Sequence, residues 1–253
     1  MNGIHETKLH GKRTFPYTVY RGVMPEYLRT FPLHWHDEME LIPVTGGQGI
    51  ITVQQQRLTV RAGDLLLIPP QMVHSMEQLG DQEMEYYNIL FRFSLLENDP
   101  QDGCYKKYLK PLYDGTRTVP VLIPAEDPLS QLLMPHVADL IRHRKEYRED
   151  SELLIKSHLF AIMHHLSRCS VPVSSAQHAI QSTYDKLKQA LMHIQTNYKQ
   201  EISVEQAAGQ LLRTEEKIST IAHQTGFQNL SYFTRAFTAQ YGCSPAAYRR
   251  QTK

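Results

Sequence analysis

Along the first 125 residues the apolar positions come in short runs: Glu40–Val44, Gly49–Val53, Leu58–Val60, Leu65–Ile68 and Tyr86–Phe93. Turn-forming residues punctuate them at Gly46-Gly47, Ala62-Gly63-Asp64, Pro69-Pro70 and Gly80-Asp81. Short strands at this spacing predict a β-sandwich or barrel. In the last run Ile89, Phe91 and Phe93 share a face. After Pro124 the period lengthens. Leu129, Leu132, Leu133, Val137, Leu140 and Ile141 form one helical stripe, and Leu154, Ile155, His158, Leu159, Ile162, Met163 and Leu166 form a second. The charged stretch Arg142–Asp150 would join the two antiparallel. This pair, residues 126–168, suits either a dimer face or a cover for one end of the barrel. Residues 169–181 are small and polar, with Pro172, and read as a linker. From Ser182 onward every periodic segment is helical. The expected fold is therefore α+β in two domains: a β-barrel over residues 1–125 with two flanking helices, and an all-α domain over residues 182–253.

Composition narrows the class. With 41% hydrophobic and 21% charged residues, the chain has an ordinary soluble globular composition. No apolar run approaches the length of a bilayer span, and the basic first thirty residues lack the apolar core of a secretory signal. Cys104, Cys169 and Cys243 lie far apart, which suits a reducing cytoplasm and argues against a disulfide frame or a cysteine zinc site. The net charge of +1 is uneven: residues 182–253 carry nine Lys/Arg against five Asp/Glu, residues 1–181 eighteen against twenty-one. A basic C-terminal segment suits a polyanion partner, although a solvated basic surface would look the same.

Residues 218–249 carry a motif that bears on that partner. Ser219 can cap a short helix containing Ile221 and Ala222. Gly226 can take the positive φ of a sharp inter-helix turn, with Phe227 packing in the angle. Asn229 is a good N-cap for the next helix, whose buried side carries Phe233 and Phe237. Ser231, Thr234, Arg235 and Thr238 lie on the other side, and short donors plus an arginine suit phosphates and base edges in a major groove. Gly242 ends the helix and Ser244-Pro245 starts another. The positions Ile218, Ser219, Ile221, Ala222, Gly226, Phe227, Asn229, Ser231, Tyr232, Phe233, Thr234, Arg235, Phe237, Gly242, Ser244, Pro245, Tyr248 and Arg249 resemble, without a gap, the signature of the AraC/XylS family of transcription regulators. The resemblance implies a DNA-binding helix-turn-helix, with Asn229, Ser231, Thr234, Arg235 and Thr238 at or near double-stranded DNA.

One departure matters. The family carries two helix-turn-helix units joined by a long linker helix. Here Tyr184–Tyr198 reads as an opening helix, and Ser203 with Gln206 forms a capping box for the next. After Ala208, however, only Gly209-Gln210 precede Leu211-Leu212-Arg213-Thr214. The first unit's turn, its recognition helix and most of the linker helix have no counterpart. The expectation is a single helix over Val204–Lys217, with Gly209 as a tolerated defect, and one recognition helix per chain.

Residues 34–40, His-Trp-His-Asp-Glu-Met-Glu, carry the second chemistry. On a strand His34 and His36 share a face, Glu40 follows four residues later, and His74 comes after the Leu65–Ile68 strand. Over about residues 30–95 this is similar to the cupin fold, whose ligand positions match His34, His36, Glu40 and His74 and whose turn glycines match Gly47 and Gly63; Gln71 and Gln78 depart from it. Three histidines and a carboxylate suit Zn²⁺, Ni²⁺, Mn²⁺ or Fe²⁺. Regulatory barrels of the resembled family often keep this run without a metal and bind a small polar effector, commonly a sugar. Trp35 could stack on such a ring or belong to the core. His158, His164 and His165 read as packing or surface residues. Neither a Gly-x-Ser-x-Gly elbow nor a phosphate-cradling glycine loop is present.

These readings predict a cytoplasmic, homodimeric transcription regulator, not an enzyme, that binds DNA and answers to a small effector held near His34, Trp35, His36, Glu40 and His74, with a divalent metal as an alternative occupant. The competing readings are a cupin metalloenzyme with a helical appendage, or an effector-binding dimer that has lost DNA binding.

Overall fold

A computed structural model describes residues 5–6, 8–26, 28–97, 99, 101–144, 151–227 and 229–251, with the side chains of 193–203 and 251 outside the description. The stretch expected to join the two central helices lies largely among residues 145–150, which are not described. The strands are β1 (Tyr17–Met24), β2 (Thr30–His34), β3 (Met39–Val53), β4 (Gln56–Arg61), β5 (Leu65–Ile68), β6 (His74–Gln78), β7 (Met84–Phe91), β8 (Arg117–Thr118), β9 (Leu122–Ile123) and β10 (Val171–Pro172). The helices are α1 (Lys110–Tyr113), α2 (Pro128–His143), α3 (Ser151–Cys169), α4 (Ser175–Arg213), α5 (Ile218–Gln224), α6 (Leu230–Tyr241) and α7 (Pro245–Gln251). The chain divides into two compact units, Met1–Tyr184 and Asp185–Lys253.

The first unit is a cupin-like barrel organised by β3. Strands run β1-β7-β3-β5-β9 on one side, while β6 pairs with β2 and β3, and β4 pairs with β3, on the other. A single strand serves both sides because it bends. Met39–Leu41 pair with β7 and Glu40–Pro43 with β5, the register shifts between Val44 and Gly46, and Gly49–Val53 pair with β6. Gly46-Gly47, expected as a turn between strands, is this bend inside one strand. Gly47 has φ +64, and a Cβ there would meet the Glu83 carbonyl oxygen at 1.8 Å, so only glycine fits.

The pleat sorts side chains into two cores. Leu41, Leu65, Leu67, Ile89, Phe91 and Phe93 pack outward with Leu133, Val137 and Leu140 of α2 and Ile155, Leu159, Ile162 and Leu166 of α3. Ile42, Val44, Ile51, Leu66, Ile68, Met84 and Tyr86 pack inward. Because β5 is covered on both faces, it reads as the unbroken run Leu-Leu-Leu-Ile rather than as an alternation. Phe93 opens a short 3₁₀ turn after β7 but still joins the outer core, as its spacing predicted.

The second unit packs around Val204, Ala207, Ala208, Leu211, Ile221, Ala222, Phe227, Phe233 and Phe237. Three local expectations change. Residues 175–181, read as linker, are helical. Ser203 lies inside α4, so it does not start a helix, and α4 ends at Arg213 rather than at Lys217. Lys217, not Ser219, is the N-cap of α5. The expected fusion across Gly209 holds: no Cβ contact is crowded there, and the helix runs through.

Candidate functional site

In the second unit α5 and α6 form a helix-turn-helix. Gly226 takes φ +91 in the turn, and Phe227 lies against Phe233 with ring centroids 5.0 Å apart. Asn229 Oδ1 accepts from Tyr232 N at 3.0 Å, so this side chain is committed to capping α6. Gly242, at φ +70, closes the helix. Ser244 Oγ accepts from Ala247 N at 3.2 Å at the start of α7. Arg249 donates to the carbonyls of Leu211 at 3.3 Å and Glu216 at 2.8 Å, tying α7 to the end of α4. The sequence pattern contained Arg249 but not this role.

With Phe233 and Phe237 buried, Ser231, Arg235 and Thr238 are exposed on the opposite side of α6. Tyr232 is 40% exposed and its ring has the Arg235 guanidinium 5.9 Å away. Thr234 is half-buried and its hydroxyl donates to the Leu230 carbonyl at 2.9 Å. The outward face therefore comprises Ser231, Tyr232, Arg235 and Thr238, with Thr234 turned back on its own helix. Among the described residues α5–α6 is the one such hairpin.

In the barrel, β2 delivers His34, the following residues deliver His36, β3 delivers Glu40, and β6 begins with His74. All four are buried. Donor nitrogens of the three histidines lie within 4.8 Å of one another. His36 Nε2 and His74 Nε2 stand 3.2 and 3.1 Å from Glu40 Oε2. Each Nδ1 faces a backbone carbonyl: His34 to Pro32 at 2.9 Å, His36 to Glu38 at 3.1 Å, His74 to Met72 at 2.9 Å. A carbonyl can only accept, so every Nδ1 carries the proton; His36 Nε2 donates to the Glu40 carboxylate, which leaves Nε2 of His34 and of His74 for the centre. His74 Nε2 is buried with no hydrogen-bond partner, its approach to Glu40 being off-line.

Electrostatics follow from this packing. Burial pushes the His34 pKa down to about 4, with the neighbouring His74 adding to the shift. Burial also opposes charge on His36, but the Glu40, Glu38 and Glu6 carboxylates outweigh it and raise the pKa. Glu40 is fully buried, yet His36 and His74 hold its carboxyl well below the usual carboxylate range. Glu38, also buried, receives the Arg92 Nε–H at 2.8 Å. Three neutral-capable imidazoles with Nδ1 fixed by backbone, one orphaned Nε2 and one ionised carboxylate fit a borderline divalent cation.

The cluster borders a cavity of about 300 Å³. Its polar wall includes Glu6, His10, Asn88, His34, His36 and Glu40; its apolar wall includes Phe31, Met76, Tyr86 and Leu90. Asn88 Oδ1 is buried without a hydrogen-bond partner. Gly22 also lines it, and any Cβ there would fall 2.3 Å from the Tyr86 ring, so the close approach of β1 to Tyr86 needs glycine. Trp35 is corrected: it does not line the cavity. Alternation along the chain puts it on the face opposite His34 and His36, where it is buried and stacks on His5 at 5.4 Å. His74 belongs to the cluster but not to the cavity wall. Sequence reading missed Glu6, His10, Tyr20, Tyr86 and Asn88. Asn88 did carry a signal, as a polar residue opening the alternation of the last strand.

A barrel with a ligand-sized cavity and a helix-turn-helix on one chain define a ligand-binding transcription regulator. Residues 24–163 match the family model of the AraC-like ligand binding domain, and residues 182–251 match that of a helix-turn-helix domain. The chain belongs to the AraC family of transcription regulators. The HTH-type transcriptional regulator YdeC of Bacillus subtilis is 19% identical over 98% of this chain and 96% of its own. That alignment runs over 285 positions against 253 residues here, so YdeC has segments without a counterpart in this chain. The B. subtilis regulator YobQ is 25% identical over 88% of this chain and 90% of its own. The HTH-type transcriptional activator RhaR of Mannheimia succiniciproducens is 23% identical over 92% and 91%. Among solved structures, ToxT from Vibrio cholerae aligns with 92% of this chain and 98% of its own, at 13% identity and a TM-score of 0.40. No described helix is long and apolar enough to cross a membrane.

Proposed function

We propose that the barrel cavity binds a small polyhydroxylated effector, a sugar or a compound of similar chemistry, and that its occupancy controls DNA binding by α6. The observation that carries this reading is the buried, unpartnered Asn88 Oδ1 on the wall of a cavity of about 300 Å³. A buried polar atom without a partner is costly, and a ligand hydroxyl relieves that cost. Glu6 and Glu40 supply acceptors nearby, while Phe31, Tyr86 and Leu90 offer apolar faces to a ring. On this reading Ser231, Tyr232, Arg235 and Thr238 meet the DNA, Asn229 serves as a cap, and two chains act together because each offers one recognition helix.

Calorimetric titration of the full chain with a panel of pentoses, hexoses and sugar acids tests the effector. At least one compound should bind, and Asn88→Ala should weaken it about tenfold, as for a lost buried hydrogen bond. Absence of binding across the panel, or equal affinity in Asn88→Ala, would overturn the assignment.

A second reading is favoured by the three fixed Nδ1 protons. His34, His36, His74 and Glu40 would hold a borderline divalent cation, which supplies a Lewis-acid anchor for an effector oxygen. The role assigned to the cluster is binding, not turnover.

A further inference from the structure

Five histidines fall on α2 and α3, away from the barrel cavity. His136 and His143 are seven residues apart on α2, His158 and His165 seven apart on α3, and His164 adjoins the last. Seven residues are close to two helical turns, so each pair occupies one stripe. The stripes face each other across the antiparallel pair. Ring centroids run from His143 to His158 at 6.4 Å, from His158 to His136 at 5.4 Å, and from His136 to His165 at 6.4 Å. All four rings are half-buried, so the groove is open to solvent.

The centre of this ladder is tighter than ring packing requires. His136 Nδ1 and His158 Nδ1 are 3.1 Å apart. The far nitrogen of His158, Nε2, lies 3.7 Å from Asp139 Oδ2. Asp139 is itself held, because Arg142 Nη1 pairs with Oδ1 at 2.8 Å. A carboxylate beside Nε2 favours the tautomer with the proton there, which leaves Nδ1 of His158 as a lone pair pointing at His136. Two nitrogens 3.1 Å apart, each about 2.0–2.1 Å from one ion, subtend about 100° at it, an angle open to tetrahedral and octahedral ions alike. The arrangement of carboxylate, histidine and vacant nitrogen is the one that orients a metal-ligating imidazole.

We infer that His136 Nδ1 and His158 Nδ1 form a divalent-cation site outside the barrel, which clips α2 to α3, with Asp139 as its positioning residue. Two imidazoles select a borderline ion such as Zn²⁺, Ni²⁺ or Cu²⁺ over Mg²⁺ or Ca²⁺. Water completes the coordination, and His143 or His165 can swing in from the flanking rungs. The Arg142 charge opposes the ion, so affinity is moderate. Clipping α2 to α3 would stiffen the helical pair that packs on the outer face of the barrel. The proposal is independent of what the barrel cluster binds.

The test is calorimetric titration of chelator-stripped full chain with Zn²⁺. His136→Asn/His158→Asn should bind one zinc equivalent fewer than the unaltered chain, whether or not His34, His36 and His74 also take an ion. Saturating Zn²⁺ should raise the thermal midpoint by about 2–4 °C through this site, an increment lost in the double variant. Asp139→Asn should weaken the same equivalent about tenfold while its midpoint in chelator stays unchanged, which a purely structural role would not give. Should the double variant fail to fold, Asp139→Asn and His158→Gln decide the matter singly. Equal zinc stoichiometry and affinity in all of them would overturn the proposal.

Discussion

At the scale of single residues, two kinds of constraint coincide in the barrel. Gly47 is fixed by geometry: at φ +64, with the Glu83 carbonyl where its Cβ would stand, it lets one strand serve two sides. Gly47→Ala should destabilise the chain by about 3 kcal/mol, read as a lowered urea midpoint with an unchanged m-value. His34, His36, His74 and Glu40 are fixed by chemistry. The period of two was enough to predict that His34 and His36 share a face. The same rule should have turned Trp35 away from the pocket, since it stands between them. Asn229 was legible as a cap, whereas Thr234 was not legible as back-bonded. A threonine on the outward side of a helix and one that donates to its own backbone carry the same letter at the same spacing.

At the scale of elements, the sequence was informative where burial is one-sided and ambiguous where it is not. The stripes of α2 and α3 stood out because one face of each packs on the barrel's outer core. Leu159→Ala, at a position with no solvent exposure, should cost about 2–5 kcal/mol in chemical denaturation, with the lower figure if the core collapses around it. The strands β1 and β6 escaped notice, and β2 was seen only at its His34 end: they are short or mix polar residues into the cavity wall, which blurs the alternation. Residues 175–181 read as a linker because they are small and polar and follow Pro172, yet they open α4. Intrinsic preference was the better guide there, since Ala176, Gln177, Ala179 and Gln181 are good helix formers. In α6, Arg235 is the exposed cation of the outward face. Arg235→Ala should lower DNA affinity and reduce the slope of log affinity against log salt by about 1, as seen in a fluorescence-anisotropy titration, if it meets a phosphate.

At the scale of the whole molecule, the family resemblance made both domains legible and also exposed what the chain lacks. α4 runs unbroken from Ser175 to Arg213, and its last turns supply Val204, Ala207, Ala208 and Leu211 to the core under α5 and α6. On the proposed reading, the residues that in a two-unit reader would build a first turn and recognition helix have no counterpart in this stretch, and α6 is the recognition helix the chain presents among its described residues. A single helix contacts few phosphates, and paired half-sites about one helical turn apart, or multiples of it, restore affinity through two-fold symmetry. The central claim is thus a regulator that reads DNA with one helix per chain. Hydroxyl-radical footprinting of the full chain on DNA selected from a random-sequence pool tests it most directly. The account predicts enriched sites in which each chain protects one major-groove segment, with two such segments related by a two-fold axis. A lone chain protecting two successive major grooves, or a pool in which no sequence is enriched, would contradict it.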